Sequence, residues 1–302
     1  MVNDAGVLCS FVIVSYNCLE ELKACINSLK KFAPGCEIIV VDNASVDGTP
    51  EFLRSCSDIV YLLSEKNLGF SAGCNLGLQK SCSDIVCFLN PDTVLLNSEW
   101  TAATDFIKKH EEYFIAPYIL DKDGSPASAR LDYPDYLTFW KELLFLPYFF
   151  KSPNVAGGKF AVSGCCIMGS KNQFLRLNGF DEGMFWCEDV DLCKRHLDTG
   201  GKFKIWNGWK IIHAGGKSAS KNPHISIPNQ IISKFRYFKK HKQKLNFFVS
   251  VMPAYINIIL RIFLYFFFGL INKTYWKKSY AYLLAFKKLT EFLIKGSTPI
   301  LP

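Results

Sequence analysis

A chain of 302 residues with 49% hydrophobic side chains can build one large α/β domain plus an appendage, which excludes a disordered or fibrous protein. Its net charge of +8 is unevenly spread: residues 228–302 hold 13 Lys and Arg against Glu291 alone, which is +12 and leaves −4 on residues 1–227. The twelve cysteines are scattered among apolar neighbours without a Cys-x-x-Cys pair, so they read as reduced thiols of a cytoplasmic protein and argue against a zinc site or a disulfide framework. The N-terminus shows no basic segment followed by an apolar run and a small-residue cleavage site, so no secretory signal is expected.

In chain order, the apolar run at residues 11–17 has strand length and ends in polar residues, among them Ser15 and Asn17. Leu19, Leu22, Cys25, Ile26 and Leu29 then fall on one helical face, closed by Pro34-Gly35. A second strand at residues 37–41 runs into Asp42-Asn43-Ala44-Ser45, and Asp47-Gly48-Thr49-Pro50 starts another helix. A third strand at residues 59–63 leads to Asn67-Leu68-Gly69-Phe70, where glycine lets the backbone approach a ligand and a helix start offers free N–H groups to a phosphate. Strand and helix in alternation predict a parallel sheet.

The most informative stretch comes next: residues 84–89 are a continuous apolar strand that delivers Asn90-Pro91-Asp92 into a loop at its end. Asp92 can offer a hard divalent cation its carboxylate, and Asn90 an amide oxygen. Residues 121–159 carry no readable motif. A second acidic group, Glu188, Asp189 and Asp191, stands where Leu192, His196 and Leu197 begin a helical pattern. Acids at a helix start are also ordinary partners of the helix dipole, and Asp191 is placed to pair with Arg195. Phe185 and Trp186 just before it can form an apolar platform for a sugar or be core aromatics. His213 follows a further apolar run at residues 209–212, as a metal or phosphate contact or as a polar strand end.

These residues resemble, in order, the motifs of the inverting family-two glycosyltransferases of the GT-A fold, most closely their bacterial rhamnosyltransferase-like branch. The resemblance covers roughly residues 8–220 and rests on Val14-Ser15-Tyr16-Asn17, Val41-Asp42-Asn43-Ala44-Ser45, Asn67-Leu68-Gly69-Phe70, Gly73-Cys74-Asn75-Leu76-Gly77, Asn90-Pro91-Asp92, Asn178-Gly179-Phe180-Asp181-Glu182, Glu188-Asp189-Val190-Asp191-Leu192 and His213. It implies a mixed, mainly parallel sheet flanked by helices, with a helical C-terminal extension. It also implies Mg²⁺ or Mn²⁺ held by Asp92 and His213, and Asp189 as the general base. Asp42 is implied to accept the N3–H of a uracil or thymine base, with Ser15, Asn17, Asn43, Asn67, Gly69 and Asn90 as further donor contacts. Glu188, Asp191 and Trp186 are expected toward the acceptor. Many relatives have Asp-x-Asp where this chain has Asn90-x-Asp92, which shifts the metal's anchorage onto Asp92 and the substrate phosphates.

The implied reaction moves a hexose, rhamnose first, from a dTDP- or UDP-sugar to a growing lipid-linked cell-surface glycan. A nucleotidyltransferase expects a Gly-rich basic loop after the first strand, and a dinucleotide-dependent oxidoreductase expects Gly-x-Gly-x-x-Gly; Tyr16-Asn17-Cys18-Leu19 fits neither. A non-catalytic membrane adaptor on the same fold is opposed by Asp92 and Asp189. The expected division is a catalytic domain at residues 1–227 and a basic, apolar helical segment at residues 228–302. Within the latter, residues 245–271 hold the single charge of Arg261 and are barely long enough to cross a bilayer. Basic clusters on both flanks favour a helix or hairpin lying on the cytoplasmic face of the cell membrane, with a homodimer interface as the other use of these aromatics. The long apolar centre argues against nucleic acid as the partner.

Overall fold

A computed structural model describes residues 7–144, 160–215 and 222–299. The chain divides into two compact units, the first formed by described residues up to Leu131 with Phe160–Glu182 and Glu188–Gly215, the second by Asp132–Lys159, Gly183–Cys187 and Gly216–Pro302 where described.

The first unit is built on a nine-stranded mixed sheet. Its parallel half comprises β1 (Ser10–Ser15), β2 (Glu37–Asp42), β3 (Val60–Leu63) and β4 (Ile85–Leu89), in the order β3-β2-β1-β4. The β1 and β4 residues are all buried, as expected for central parallel strands covered on both faces. The connections are α1 (Leu19–Phe32), α2 (Thr49–Ser55) and α3 (Phe70–Lys80). Helix α3 lies very close to β1: a Cβ on Gly77 would sit 2.2 Å from Cγ1 of Val12.

Beyond β4 the sheet turns mixed. After β5 (Thr93–Leu95) and α4 (Trp100–Lys109) come β6 (Tyr113–Leu120), β7 (Pro126–Ala127), β8 (Arg130–Leu131), and later β9 (Ala161–Val162), β10 (Cys166–Ser170), α6 (Lys171–Arg176), α7 (Glu188–Asp198) and β11 (Lys202–His213). Strand β10 runs antiparallel between β4 and β6, and β11 runs parallel to β6 and antiparallel to β5. A register shift between Trp206 and Lys210 lets this long strand serve both partners. The apolar run before His213 is therefore the end of a twelve-residue strand. All twelve cysteines carry free thiols, with the sulfurs of Cys87 and Cys166 3.7 Å apart across β4 and β10.

In the second unit, α5 (Tyr136–Leu143) starts at a capping box between Asp135 and Thr138. Long helices follow: α8 (Pro223–Lys240), α9 (Lys244–Ile271) and α10 (Thr274–Lys295). Phe139 stacks on Phe235 at 5.0 Å, Glu142 pairs with Lys234, and the Glu142 carbonyl accepts from Arg261 at 3.3 Å. Helices α9 and α10 form an antiparallel hairpin in which Ser279 donates to the Ile262 carbonyl at 2.9 Å and Tyr255 bonds Thr290 at 2.8 Å. The division expected at 227/228 falls inside α8, and part of the motif-free region is α5; its residues 145–159 lie outside the described residues.

Candidate active site

Strands β1, β2 and β4 end together at one edge of the sheet, because neighbouring parallel strands release their chains on the same side. Ser15 and Asp42 pair in register at the ends of β1 and β2. Asp42 is 1% exposed; its Oδ2 accepts from the Ser45 amide at 3.0 Å, while Oδ1 is buried without a partner. Asn43 donates through Nδ2 to the Gly69 carbonyl at 3.0 Å, and its Oδ1 is likewise buried and unpartnered. Desolvated acceptors left open are costly unless something donates to them, so this edge is prepared for a ligand carrying N–H or O–H groups.

The surrounding loops are held by their own asparagines. Asn17, with φ of 49°, donates its amide to Ser45 Oγ at 2.9 Å and accepts from Val46 N at 2.8 Å. Asn67 accepts from the Gly69 amide at 2.9 Å, and Gly69 has φ of 85° at the start of α3. Ser15 is fully buried with its Oγ 3.4 Å from Cys18 Sγ. In this structure the side chains of Asn17 and Asn67 shape the loops that flank Asp42.

A second cluster forms where β5 pairs with the end of β11. Thr93 and His213 lie opposite each other, and the Ala214 amide donates to the Asp92 carbonyl at 3.0 Å. This brings His213 Nε2 to 3.2 Å from Asp92 Oδ1 and 3.4 Å from Asn90 Nδ2. With Nε2 protonated the ring donates to Asp92; in the other tautomer it accepts from Asn90. A carboxylate from the turn before β5 and an imidazole from the end of β11 make a pair of donors suited to a divalent cation. Among the described residues no third carboxylate, thiol or imidazole joins them, so the remaining ligands would be water, an amide oxygen or the oxygens of a bound anion.

The turn between β9 and β10 ties this cluster to the acidic helix. The Asn90 amide donates to the Cys165 carbonyl at 2.9 Å, and one residue earlier the Gly164 amide donates to Asp189 Oδ2 at 2.8 Å. Burial pushes the Cys165 thiol up to about 12, and the charges of Asp92 and Asp189 add to the rise, so this one residue lies within the field of both carboxylates. A Cβ on Gly164 would meet Cβ of Asp189 at 3.0 Å, which explains glycine here. Asp189 Oδ1 also accepts from Val190 N at 2.8 Å; burial nonetheless raises the Asp189 carboxyl above the ordinary carboxylate range, against the pull of those amides. Such a carboxylate is a stronger base than a solvated one. The Ser163-Gly164-Cys165 turn carries no motif that would mark it in the sequence.

The remaining acids separate by environment. Asp191 is fully buried and paired with Arg195 at 2.8 Å, and the guanidinium also donates to the Leu177 and Gly179 carbonyls, the latter at 2.9 Å. The pairing with Arg195, one of the two uses expected of Asp191, holds α7 against the Leu177–Phe180 turn. Asn75 braces the same turn, accepting from Phe180 N and donating to Phe180 O, each at 2.9 Å. Glu188 lies close enough to Cys74 for its charge to raise that thiol further, after burial. Trp186, at φ of 72° and 38% exposed, belongs to the second unit.

Residues 10–176 match the model of the family described as glycosyl transferase family 2. The chain is 30% identical over 195 residues to the low-salt glycan biosynthesis hexosyltransferase Agl10 of Haloferax volcanii, covering 62% of this chain and 60% of that protein. It is 23% identical over 212 residues to the N-acetylglucosaminyl-diphospho-decaprenol L-rhamnosyltransferase of Mycobacterium tuberculosis, covering 62% of this chain and 69% of the relative. It is 27% identical over 141 residues to the putative teichuronic acid biosynthesis glycosyltransferase TuaG of Bacillus subtilis, covering 44% of this chain and 55% of that protein. Among solved structures, GalNAc-T7 with UDP, GalNAc and Mn²⁺ superposes with a TM-score of 0.52 at 17% identity, over 70% of this chain and 44% of that one, a likeness of fold.

Proposed function

The chain belongs to glycosyl transferase family 2 and has the GT-A fold, and from that premise we propose that it moves a hexose from a pyrimidine nucleoside diphosphate sugar to a hydroxyl of a growing lipid-linked glycan. Rhamnose from dTDP-rhamnose is the first donor to test, in line with the motif pattern and the mycobacterial relative. The observation that carries the reading is the Ser163–Cys165 turn, which binds the Asn90-Pro91-Asp92 loop at 2.9 Å and Asp189 at 2.8 Å, so that leaving-group side and base side share one rigid connection.

In this reading Asp42 Oδ1 accepts the N–H of the pyrimidine, supplying the bond that this buried oxygen lacks. Asp92 and His213 would hold Mg²⁺ or Mn²⁺, with Asn90 beside them. When bound, the cation neutralises charge that develops on the departing diphosphate. Asp189 takes the proton of the acceptor hydroxyl as its oxygen bonds the anomeric carbon and the bond to the diphosphate oxygen breaks. One in-line displacement inverts that carbon. The Gly164 and Val190 amides fix the carboxylate's direction, and its desolvated setting strengthens it as a base.

Product analysis with a panel of dTDP- and UDP-sugars and lipid-linked acceptors tests the proposal. Transfer should occur with inversion, stop in EDTA and return with Mg²⁺ or Mn²⁺, and Asp92→Ala should lose both donor binding and turnover. Full activity in EDTA would overturn the metal assignment, and no transfer from any donor would overturn the reaction.

A further inference from the structure

Helix α9 is turned inside out for a helix in water. Its buried positions include Ser250, Ala254, Asn257 and Gly269, while Phe248, Met252, Phe263 and Phe267 are exposed. At about 100° per residue, Leu245, Phe248, Met252, Ile259, Phe263, Phe267 and Leu270 fall on one side, an exposed apolar stripe about 38 Å long that widens near the C-terminus, where Leu264, Phe268 and Ile271 are exposed as well. Helix α10 repeats the pattern, burying Ala281, Ala285, Leu289 and Phe292 on one face and exposing Trp276, Tyr280, Leu283 and Ile294 on the other. The two stripes meet: the half-exposed rings of Phe266 and Trp276 stack at 5.9 Å. Small and hydroxyl-bearing residues join Ile258, Leu289 and Phe292 on the buried faces, and the many large apolar side chains left outside suit a lipid surface rather than water.

Charge identifies the occupant. Lys273, Lys277 and Lys278 are exposed at the hairpin turn, Lys239, Lys240 and Lys242 precede α9 and Lys244 opens it, and residues 228–302 carry +12. A second copy of the chain would bring the same positive charge to the apolar face, whereas a bilayer containing anionic lipid supplies the complement. We propose that the α9–α10 hairpin lies in the plane of an anionic bilayer, its joined stripes entering the boundary between headgroups and acyl chains and its lysines contacting lipid phosphates. By length and composition α9 is long and apolar enough to cross a bilayer. Lysines at both of its ends, with Arg261 bonded to Asn257 at 2.6 Å between them, are the ground for placing it in the plane instead. This deepens the lipid-linked-acceptor reading, and vesicle binding is measured without turnover, so either can fail alone.

The test is flotation of the full-length protein with vesicles of phosphatidylcholine alone or with phosphatidylglycerol. Binding should require phosphatidylglycerol at low salt. It should weaken roughly tenfold or more in the Phe266→Ser/Phe267→Ser double variant, and on the order of 100-fold in Lys273→Gln/Lys277→Gln/Lys278→Gln. All five positions are exposed, so transfer to a soluble acceptor analogue should stay unchanged and serve as the folding control. Depth is read with Phe263→Trp: the added fluorescence should be quenched most by lipids brominated near the headgroup. Strongest quenching by lipids brominated near the chain ends would show a spanning helix and overturn the in-plane assignment. Equal binding of the variants would overturn the assigned surface. No binding to phosphatidylglycerol vesicles, with a discrete dimer in sedimentation, would overturn the bilayer and make the stripes an interface between copies.

Discussion

Asp42 is buried and Asp189 half-buried with a desolvated carboxyl, and the proposed mechanism gives them different work. Asp189 has each oxygen held by one backbone amide, and burial raises its pKa, so the acid limb of kcat/KM should lie above the ordinary carboxylate value of 3.8. Below that raised value the base is protonated and transfer stops; above it the rate levels off. Asp189→Asn should abolish the limb and lower kcat by about 10² or more while donor affinity stays nearly constant. Asp42→Ala should do the reverse, weakening donor binding because it removes the open Oδ1. Calorimetric loss of donor affinity in Asp189→Asn, with normal turnover of bound substrate, would exchange the two roles. Asp92 and Asp189 stand out in the sequence because their chemistry is local to short acidic motifs. Gly164 and Cys165 do not, since their importance depends on β10 pairing with β4, 79 residues away between Cys87 and Cys166.

At the scale of elements, packing distances make sharper demands than helix propensity. Alanine at position 77 would favour α3 by about 1 kcal/mol on propensity alone. A Cβ there meets Val12 Cγ1 at 2.2 Å, and Val12 is a fully buried, β-branched residue of β1 without room to move. Gly77→Ala should therefore destabilise by about 1–3 kcal/mol in urea unfolding, and adding Val12→Ala should recover part of the loss. If Gly77→Ala were as stable as the parent, the close α3–β1 approach would be wrong. Helix α7 has a different anchor: buried His196 stacks on Phe114 at 3.8 Å, with Nδ1 3.1 Å from Gln173 and Nε2 3.2 Å from the Lys202 carbonyl. Burial lowers its pKa from 6.5 to about 4. The unfolded chain takes up that proton below pH 6.5 while the fold refuses it, so stability is full above pH 6.5 and declines as pH falls toward 4. Between about pH 6.5 and 5 the loss should be about 2 kcal/mol by urea titration, and His196→Gln should flatten that slope. Strands β1, β2 and β4 were legible as unbroken apolar runs because central parallel strands are covered on both faces. Only the end of β11 was legible, since its first half, Lys202-Phe203-Lys204-Ile205-Trp206, mixes lysine with apolar residues at the level of burial the structure gives it, partly exposed.

For the whole molecule, the informative quantity is the separation of charge, −4 on residues 1–227 against +12 on residues 228–302. The second unit joins the basic C-terminal stretch with residues 132–144 and 183–187, which carry no compositional sign of belonging there. Glu142 shows why: its partners Lys234 and Arg261 are about a hundred residues away, and such pairing is set by tertiary contact alone. A basic segment beside an acidic one gives the protein two different responses to salt. On the proposed docking to a bilayer, ions would screen the attraction of the tail to anionic lipid, since the Debye length shortens from about 10 Å at 0.1 M to about 3 Å at 1 M. Raising salt from about 0.1 M to about 1 M should therefore cut transfer to a lipid-linked acceptor in phosphatidylglycerol vesicles by roughly tenfold, because attachment sets the local concentration of enzyme at its acceptor. Transfer to a soluble acceptor analogue should change by less than about twofold, because it does not depend on the tail's lipid contacts. Equal losses with both acceptors would locate the salt-sensitive charges at the donor site, and equal activity at both salt levels would show that membrane attachment does not limit the reaction.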